Sequence, residues 1–497
     1  MSTKKINRSV IAKITGMLLT IEGFFIFLSL PFSIYYTKPD LSTINLFDPS
    51  KDFWALLISG AITIIIGAIL LASFKKTSNT LTKKEGYIIV TLSWIAISIF
   101  GALPFYLSGN TLTYTDAFFE TISGFTTTGS SIFNNVEIIP KGLLFWRSLT
   151  HWIGGMGIIV LSLAILPIFG IGGMSLFVAE VPGPTPDKLH PRIAATAKRL
   201  WGIYVLLTFV ETILLMFGGM DFFDSICHSF GTMATGGFST QNASVANYSP
   251  YIQYVIIVFM ILAGTNFTLH YLALHGNVKS IFKNEEYKTY LFIIFGFTLI
   301  ITLVLILQQN IYYEKAFRDA LFQVVSIVTT TGFVSANYLI WPSSLLILMF
   351  ILMFIGGCAG STGGGVKVVR HLLIIKNSFL ELKRLIHPNA IIPVRLNGAS
   401  VSKSVIHNIL AFLIFYIIIF VIGIIIMSII GLDYETAIGS VTACLGNIGP
   451  GIGGVGPIEN YSAIPSAGKW VLSFLMLLGR LELFTVLILL SPSFWKK

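Results

Sequence analysis

The chain holds only three cysteines in 497 residues, Cys227, Cys358 and Cys444, and they show neither CxxC spacing nor a neighbouring histidine cluster. A disulfide framework and a thiolate metal site are therefore excluded as organising devices. Charge is nearly as scarce, with 11% charged against 55% hydrophobic residues and a mean hydropathy of +0.84. A soluble domain carries roughly 25% charged residues, so this balance excludes a water-soluble class and implies a bilayer protein. Clusters of His, Asp and Glu at workable spacing are also missing. An integral membrane enzyme, which would have to draw on groups such as His151, His228 or Glu211, is thus a distant alternative.

What the sequence does have is long apolar runs. Ten segments, near 11–36, 53–74, 86–107, 143–169, 201–220, 251–274, 290–308, 344–369, 405–430 and 470–490, reach the span length of roughly 20 mostly apolar residues. The first follows a basic start but is long and lacks a small-residue cleavage site, so it reads as an uncleaved helix. Most of the 32 basic residues then fall on the side of both termini, including Lys4, Lys5, Arg8, Lys75, Lys76, Lys188, Arg192, Lys367, Arg370 and Lys376. The positive-inside rule makes that side cytoplasmic. Acids such as Asp116, Glu120, Asp224, Asp319, Asp433 and Glu435 collect on the opposite face, where they would concentrate cations. The net charge of +10 thus reflects cytoplasmic loops and not a nucleic-acid footprint.

A fourfold internal repeat organises these spans. Counting from Asp116, Asp224, Asp319 and Thr436, the residue thirteen positions on is Gly129, Gly237, Gly332 and Gly449. The loops read Thr127-Thr128-Gly129, Thr235-Gly236-Gly237, Thr330-Thr331-Gly332 and Asn447-Ile448-Gly449, each after an apolar stretch too short to cross a bilayer. Non-helical backbone at membrane depth needs cover from protein or water, so four such loops imply one pore. A bare monovalent cation must be offered several oxygens; glycine lets the backbone turn its carbonyls inward, and threonine adds neutral hydroxyls. The expected fold class is an all-α integral membrane protein of ten transmembrane helices, with four helix–pore loop–helix repeats in pseudo-fourfold arrangement and an extra N-terminal helix pair. The corresponding boundaries are 1–84 for the pair, then 85–180, 181–277, 278–398 and 399–497 for the repeats.

One further segment is physically odd. Gly356-Gly357-Cys358-Ala359-Gly360-Ser361-Thr362-Gly363-Gly364-Gly365 puts six glycines inside the eighth span, which predicts a broken helix with free carbonyls and hydroxyls below the filter, that is, a gate. The run is not a phosphate-binding loop, because Val366-Lys367 stands where Lys-Ser/Thr is required. Small-residue helix packing accounts for one or two such glycines, not for ten small residues in a row. Arg480 is the basic residue placed deep within a span, which makes it a functional candidate. Glu482, two positions on, faces elsewhere on a helix, and for Glu22 and Glu211 a structural role is favoured.

With these residues in view the chain resembles the Trk/Ktr/HKT potassium transporter superfamily, and within it the TrkH branch. The resemblance rests on the filter loops, on 356–370, on His151-Trp152-Ile153-Gly154-Gly155-Met156-Gly157, Asp187-Lys188-Leu189-His190-Pro191-Arg192 and Gly264-Thr265-Asn266-Phe267, and on Gly479-Arg480-Leu481-Glu482-Leu483-Phe484. It implies that 356–365 is the gate loop, with Arg480 close to it as an electrostatic barrier. Glycine at all four filter positions is associated in that family with potassium, the transported ion and the only metal expected; no cofactor on this chain is implied. The fourth loop lacks the threonine run, which leaves a sodium-permeable or ion-coupled symporter as the alternative. The resemblance further implies a homodimer, a cytoplasmic nucleotide-binding regulatory subunit of TrkA type, and the cytoplasmic (inner) membrane as location. Residues 371–395, with Leu372, Ile375, Phe379, Leu382 and Ile386 among Lys376, Lys383 and Arg384, suit a membrane surface or a partner.

Overall fold

A computed structural model describes residues 6–37, 51–74, 82–160 and 193–496. Helices α1 (Arg8–Phe27), α2 (Leu30–Thr37) and α3 (Lys51–Ser73) come first, then α4 (Lys83–Gly101) and α5 (Leu103–Leu107). The first repeat continues with α6 (Tyr114–Phe125) and α7 (Lys141–Val160). The second comprises α8 (Ile193–Phe217), α9 (Phe222–Ala234), α10 (Pro250–Ala263) and α11 (Phe267–Leu274). After α12 (Lys279–Lys283), the third has α13 (Glu285–Gln309), α14 (Tyr313–Val328), α15 (Ser343–Leu352) and α16 (Val368–Ile386). The fourth has α17 (Lys403–Ile430), α18 (Tyr434–Gly446), α19 (Ser466–Arg480), α20 (Phe484–Leu490) and α21 (Pro492–Trp495).

Among the described residues six helices are long and apolar enough to cross a bilayer, and eight if each of two bent pairs counts as one span. The continuous spans expected at 251–274 and 470–490 are corrected here: α10 and α11 meet at 100°, and α19 and α20 at 119°. The first break falls at Gly264-Thr265-Asn266, where the Asn266 side chain caps α11 by accepting from the Thr268 amide at 2.8 Å. The second uses Glu482 and Leu483, both at positive φ. The eighth segment is the ten-residue α15 followed by non-helical chain to Lys367, as its glycines predict. The fourth segment is helical as far as Val160, and its remainder lies outside the described residues. Among the described residues one hairpin departs from all-helical. Strands β1 (Arg395–Leu396) and β2 (Ala399–Ser400) form a hairpin around Asn397-Gly398, both at positive φ, the residue pair a tight primed turn demands.

The N-terminal pair packs through glycine. A Cβ on Gly16 of α1 would stand 2.8 Å from the Gly67 carbonyl oxygen of α3, and one on Gly67 2.7 Å from that of Gly16, so the two backbones touch. Two large buried clusters fill the rest. One joins α4, α6 and α7 to α17–α19, with the Trp146 indole donating to the Gly101 carbonyl at 3.0 Å; the other joins α10 and α13–α15. Glu22 and Glu211 are buried on α1 and α8.

Candidate functional site

Four short helices that do not cross, α6, α9, α14 and α18, each run directly into one of the repeat loops. Three begin at a side-chain cap: Thr113, Asp221 and Asp433 accept from the amides of Asp116, Asp224 and Thr436. At Asp433 this bond from the Thr436 amide holds the carboxyl below the usual carboxylate range. The helices end alike. The amides of Thr128, Gly236, Thr331 and Ile448 donate five residues back to Ser123, Gly231, Ser326 and Ala443 at 2.8–2.9 Å. Those of Thr127, Thr235, Thr330 and Asn447 donate to Gly124, Thr232, Ile327 and Cys444. This is the Schellman closure, whose left-handed residue is ordinarily glycine. Here it is Thr127, Thr235, Thr330 or Asn447, with φ between 50° and 58°. A non-glycine residue held there stores about 1–3 kcal/mol. Four copies of the same strained turn give all four loops one backbone shape, the threonine-free fourth included.

The next positive φ in each loop is the repeat glycine: Gly129 at 83°, Gly237 at 77°, Gly332 at 81° and Gly449 at 98°. Each lies against the neighbouring loop. A Cβ on Gly129 would stand 2.1 Å from the Gly236 carbonyl oxygen, on Gly237 2.1 Å from that of Thr331, and on Gly332 2.0 Å from that of Ile448. On Gly449 it would stand 2.7 Å from that of Thr128, which closes the circuit of loops one, two, three, four and back to one. The four glycines also line one shared cavity of about 140 Å³ with Ser130, Asn134, Gln241 and Tyr461. The Asn447 amide joins loops four and one through the Thr128 hydroxyl at 3.0 Å, and the Tyr461 hydroxyl donates to the Gly449 carbonyl at 2.7 Å.

The glycine-rich segment sits against this circuit. The Gly364 amide donates to the Thr330 hydroxyl at 2.6 Å, and a Cβ on Gly363 would meet the Thr329 carbonyl oxygen at 2.9 Å. Its earlier part is tied by backbone to the α10–α11 break: Cys358 donates to Gly264 at 2.8 Å and Phe267 to Gly360 at 3.1 Å. The Thr362 hydroxyl reaches the Met233 carbonyl at 3.0 Å. Arg480, 2% exposed, donates from Nη1 to the Thr362 carbonyl at 2.8 Å and from Nη2 to the Gly154 carbonyl at 2.9 Å. Glu482 does not pair with it and instead forms an ion pair with Arg370.

The structure therefore brings the expected residues of the four loops, 356–365 and Arg480 together. Cys227, Cys358 and Cys444 are free and buried, and no cluster able to hold a metal through His, Cys, Asp or Glu occurs among the described residues. The Asp187–Arg192 motif lies outside those residues. Sequence reasoning missed three contributors. Lys367 served only to exclude a phosphate loop, yet its ammonium donates to the Gly363 carbonyl. Glu120, read as an outer-face acid, forms with Arg147 a buried ion pair at 2.6 Å beside loops one and two. The available signal was an arginine and a histidine one turn apart ahead of the Gly154-Gly155 pair.

Comparison with known proteins follows the same lines. The TrkH family profile, described as cation transport protein, matches residues 54–497. The chain belongs to the TrkH family. It is 44% identical over 443 residues to the Trk system potassium uptake protein TrkH of Escherichia coli (strain K12), covering 88% of this chain and 91% of that one. To the TrkH of Halomonas elongata it is 38% identical over 485 residues, covering 97% and 99%. The crystal structure of the potassium transporter TrkH from Vibrio parahaemolyticus aligns with a TM-score of 0.87 at 36% identity, covering 99% and 100% of the two chains. TrkH-family relatives are named as transporters, which places this multi-pass membrane protein in a transport class and not an enzyme class.

Proposed function

We propose that this TrkH-family chain takes up potassium across the cytoplasmic membrane through one pseudo-fourfold pore, with both termini cytoplasmic. The carrying observation is the closed circuit in which each of Gly129, Gly237, Gly332 and Gly449 lies against the carbonyl oxygen at the equivalent position of the next loop. Four such oxygens, from Thr128, Gly236, Thr331 and Ile448, with the flanking residues Thr127, Thr235, Thr330 and Asn447, replace the hydration shell of a dehydrated K+. The four pore helices end at these loops, so the negative ends of their dipoles add to the attraction without a fixed charge. The Glu120–Arg147 pair, being neutral overall, leaves that balance intact.

Residues 356–365 act as the gate, with Arg480 as its latch. A guanidinium bonded to the Thr362 carbonyl puts a positive charge beside the path of a cation, and a cation repels it. The gate is regulated by a cytoplasmic nucleotide-binding subunit of TrkA type, and the chain works as a homodimer. Support comes from α16, which continues from the gate and leaves Ile375, Phe379, Leu382 and Ile386 between 54% and 73% exposed. Sodium permeation or ion-coupled symport is the second reading. The observation that favours it is the fourth loop, where a Cβ on Gly449 would stand 2.7 Å from its neighbour's oxygen instead of 2.0–2.1 Å, a slacker fit.

The test is rubidium and potassium uptake into proteoliposomes holding the purified chain, with sodium as competitor, for wild type and Gly129→Ser. Uptake that follows the membrane potential and prefers potassium, with the preference lost in the variant, supports the reading. No cation flux under any gradient, with or without a regulatory partner, overturns it.

A further inference from the structure

His151 is wholly buried on α7 and is bonded at both ring nitrogens. Its Nδ1 lies 2.7 Å from the Gly124 carbonyl oxygen of the first pore helix, and its Nε2 lies 3.1 Å from the Phe238 amide nitrogen, directly after Gly237 in the second loop. A carbonyl can only accept and an amide N–H can only donate, so the two neighbours fix the imidazole as the neutral Nδ1–H tautomer, whose Nε2 lone pair accepts from Phe238. The ring also stacks on Phe238 with centroids 4.0 Å apart. It fills the space beside Gly236, where a Cβ would stand 2.5 Å from the imidazole. Gly236 supplies the carbonyl that lies against Gly129. One side chain therefore touches the residues before and after Gly237 and the helix that carries the first loop.

Arg147, one turn earlier on α7, completes the grip. Its Cζ lies 3.5 Å from the Phe238 ring centre, its Nη1 donates to the Ser239 carbonyl at 3.0 Å, and its Nε pairs with Glu120. Glu120 in turn accepts from the Ile132 amide at 2.8 Å, just beyond the first loop. The other loops are held differently at this level. In the third, the residue matching Phe238 is Phe333, whose ring lies 5.7 Å from that of His228, while the Val334 amide one position on donates to the Ser244 hydroxyl at 3.1 Å; in the fourth the matching residue is Pro450, which has no N–H to satisfy.

We propose that His151 is a positioning residue for selectivity: held as the Nδ1–H tautomer between Gly124 and Phe238, it sets the distance between the first two filter loops and with it the preference for potassium. The inference rests on the potassium-filter reading above. Its test compares the potassium-to-sodium flux ratio of the full chain in proteoliposomes for wild type, His151→Phe and His151→Gln. Phenylalanine keeps the stacked ring and removes both hydrogen bonds; glutamine keeps one donor and one acceptor. Loss of a partner for a buried amide is expected to lower the ratio about tenfold in His151→Phe, with most of it restored in His151→Gln. A ratio unchanged in His151→Phe, or equally reduced in both variants, overturns the proposal. A wild type that conducts without preferring potassium instead sinks the filter reading beneath it. Should His151→Phe not fold, nitrogen-15 NMR of histidine-labelled wild type decides, the His151 signal being the one absent from His151→Gln. An unprotonated Nε2 is expected, and a protonated Nε2 overturns the proposal.

Discussion

The four repeat loops proposed as the filter and the 356–365 segment proposed as the gate are both rich in glycine, but they are held in different ways. Each filter loop is closed onto its own pore helix by two backbone hydrogen bonds, and its glycine faces a carbonyl of the next loop with no room for a methyl group. In the gate segment the stretch nearest the filter is held mainly by side chains: Gly363 by Lys367, Gly364 by Thr330, and Thr362 by Arg480. Main-chain closures of one loop cannot be exchanged without unwinding the helix behind it. Side-chain bonds can be swapped by rotation about a few torsions. The contrast teaches that glycine content alone does not separate a rigid element from a movable one; what separates them is where the hydrogen bonds come from.

The largest effect should come from filling a filter glycine. Serine at Gly129, Gly237 or Gly332 meets both a positive φ and an oxygen 2.0–2.1 Å from its Cβ, so the neighbouring loop must move. Competitive flux assays should find the potassium preference abolished in all three, and less reduced in Gly449→Ser, where the oxygen lies at 2.7 Å. Equal damage at all four positions would break the comparison within the ring. Next in size, Arg480→Gln removes the charge that holds Thr362. The bond of a charged donor contributes about 1.5–3 kcal/mol, so the open fraction should rise roughly tenfold or more, seen as faster flux with an unchanged ion preference. A change in preference instead would place Arg480 in the filter and not in the gate.

A smaller effect is expected from Thr330→Val, which keeps the shape of the turn but leaves the Gly364 amide without its acceptor. At about 0.5–1.5 kcal/mol for a neutral bond, flux should rise a few-fold while selectivity holds, because valine keeps the main-chain carbonyl that Thr330 offers the ion; a drop in selectivity would mean that the hydroxyl serves the ion and not the gate. The smallest should be Lys376→Met in the middle of α16. The Lys376–Glu285 pair is about one-third exposed on each side, so screening leaves it roughly 0.2–1 kcal/mol. The melting temperature should move by no more than a few degrees and flux hardly at all. A large change in flux would show that α16 transmits force to the gate through this contact.

Much of this was legible in the sequence, and the parts that were not share a cause. The spacing from Asp116, Asp224, Asp319 and Thr436 to the four glycines is a one-dimensional signal, because a Schellman turn after a short helix always consumes the same number of residues. The break at 356–365 was legible for a similar reason, since six glycines cannot continue a helix. The bends after Ala263 and Arg480 were not, because three irregular residues hardly lower the hydropathy of a long apolar window. The hairpin at Asn397-Gly398 carried a strong local signal that the helical pattern on either side obscured. His151 and Phe238 are 87 positions apart, and although a histidine within a span stands out, nothing in the sequence pairs it with Phe238. Their meeting is a property of how the first two repeats pack side by side, which no pattern within either repeat encodes.

The central claim is that a cation sits within the circuit formed by the carbonyl oxygens of Thr128, Gly236, Thr331 and Ile448. Anomalous diffraction from crystals of the full chain grown in rubidium tests it most directly. An anomalous peak is expected on the axis between these four oxygens, lost when rubidium is replaced by sodium. A peak elsewhere, or none in a protein that still carries rubidium into liposomes, would contradict it.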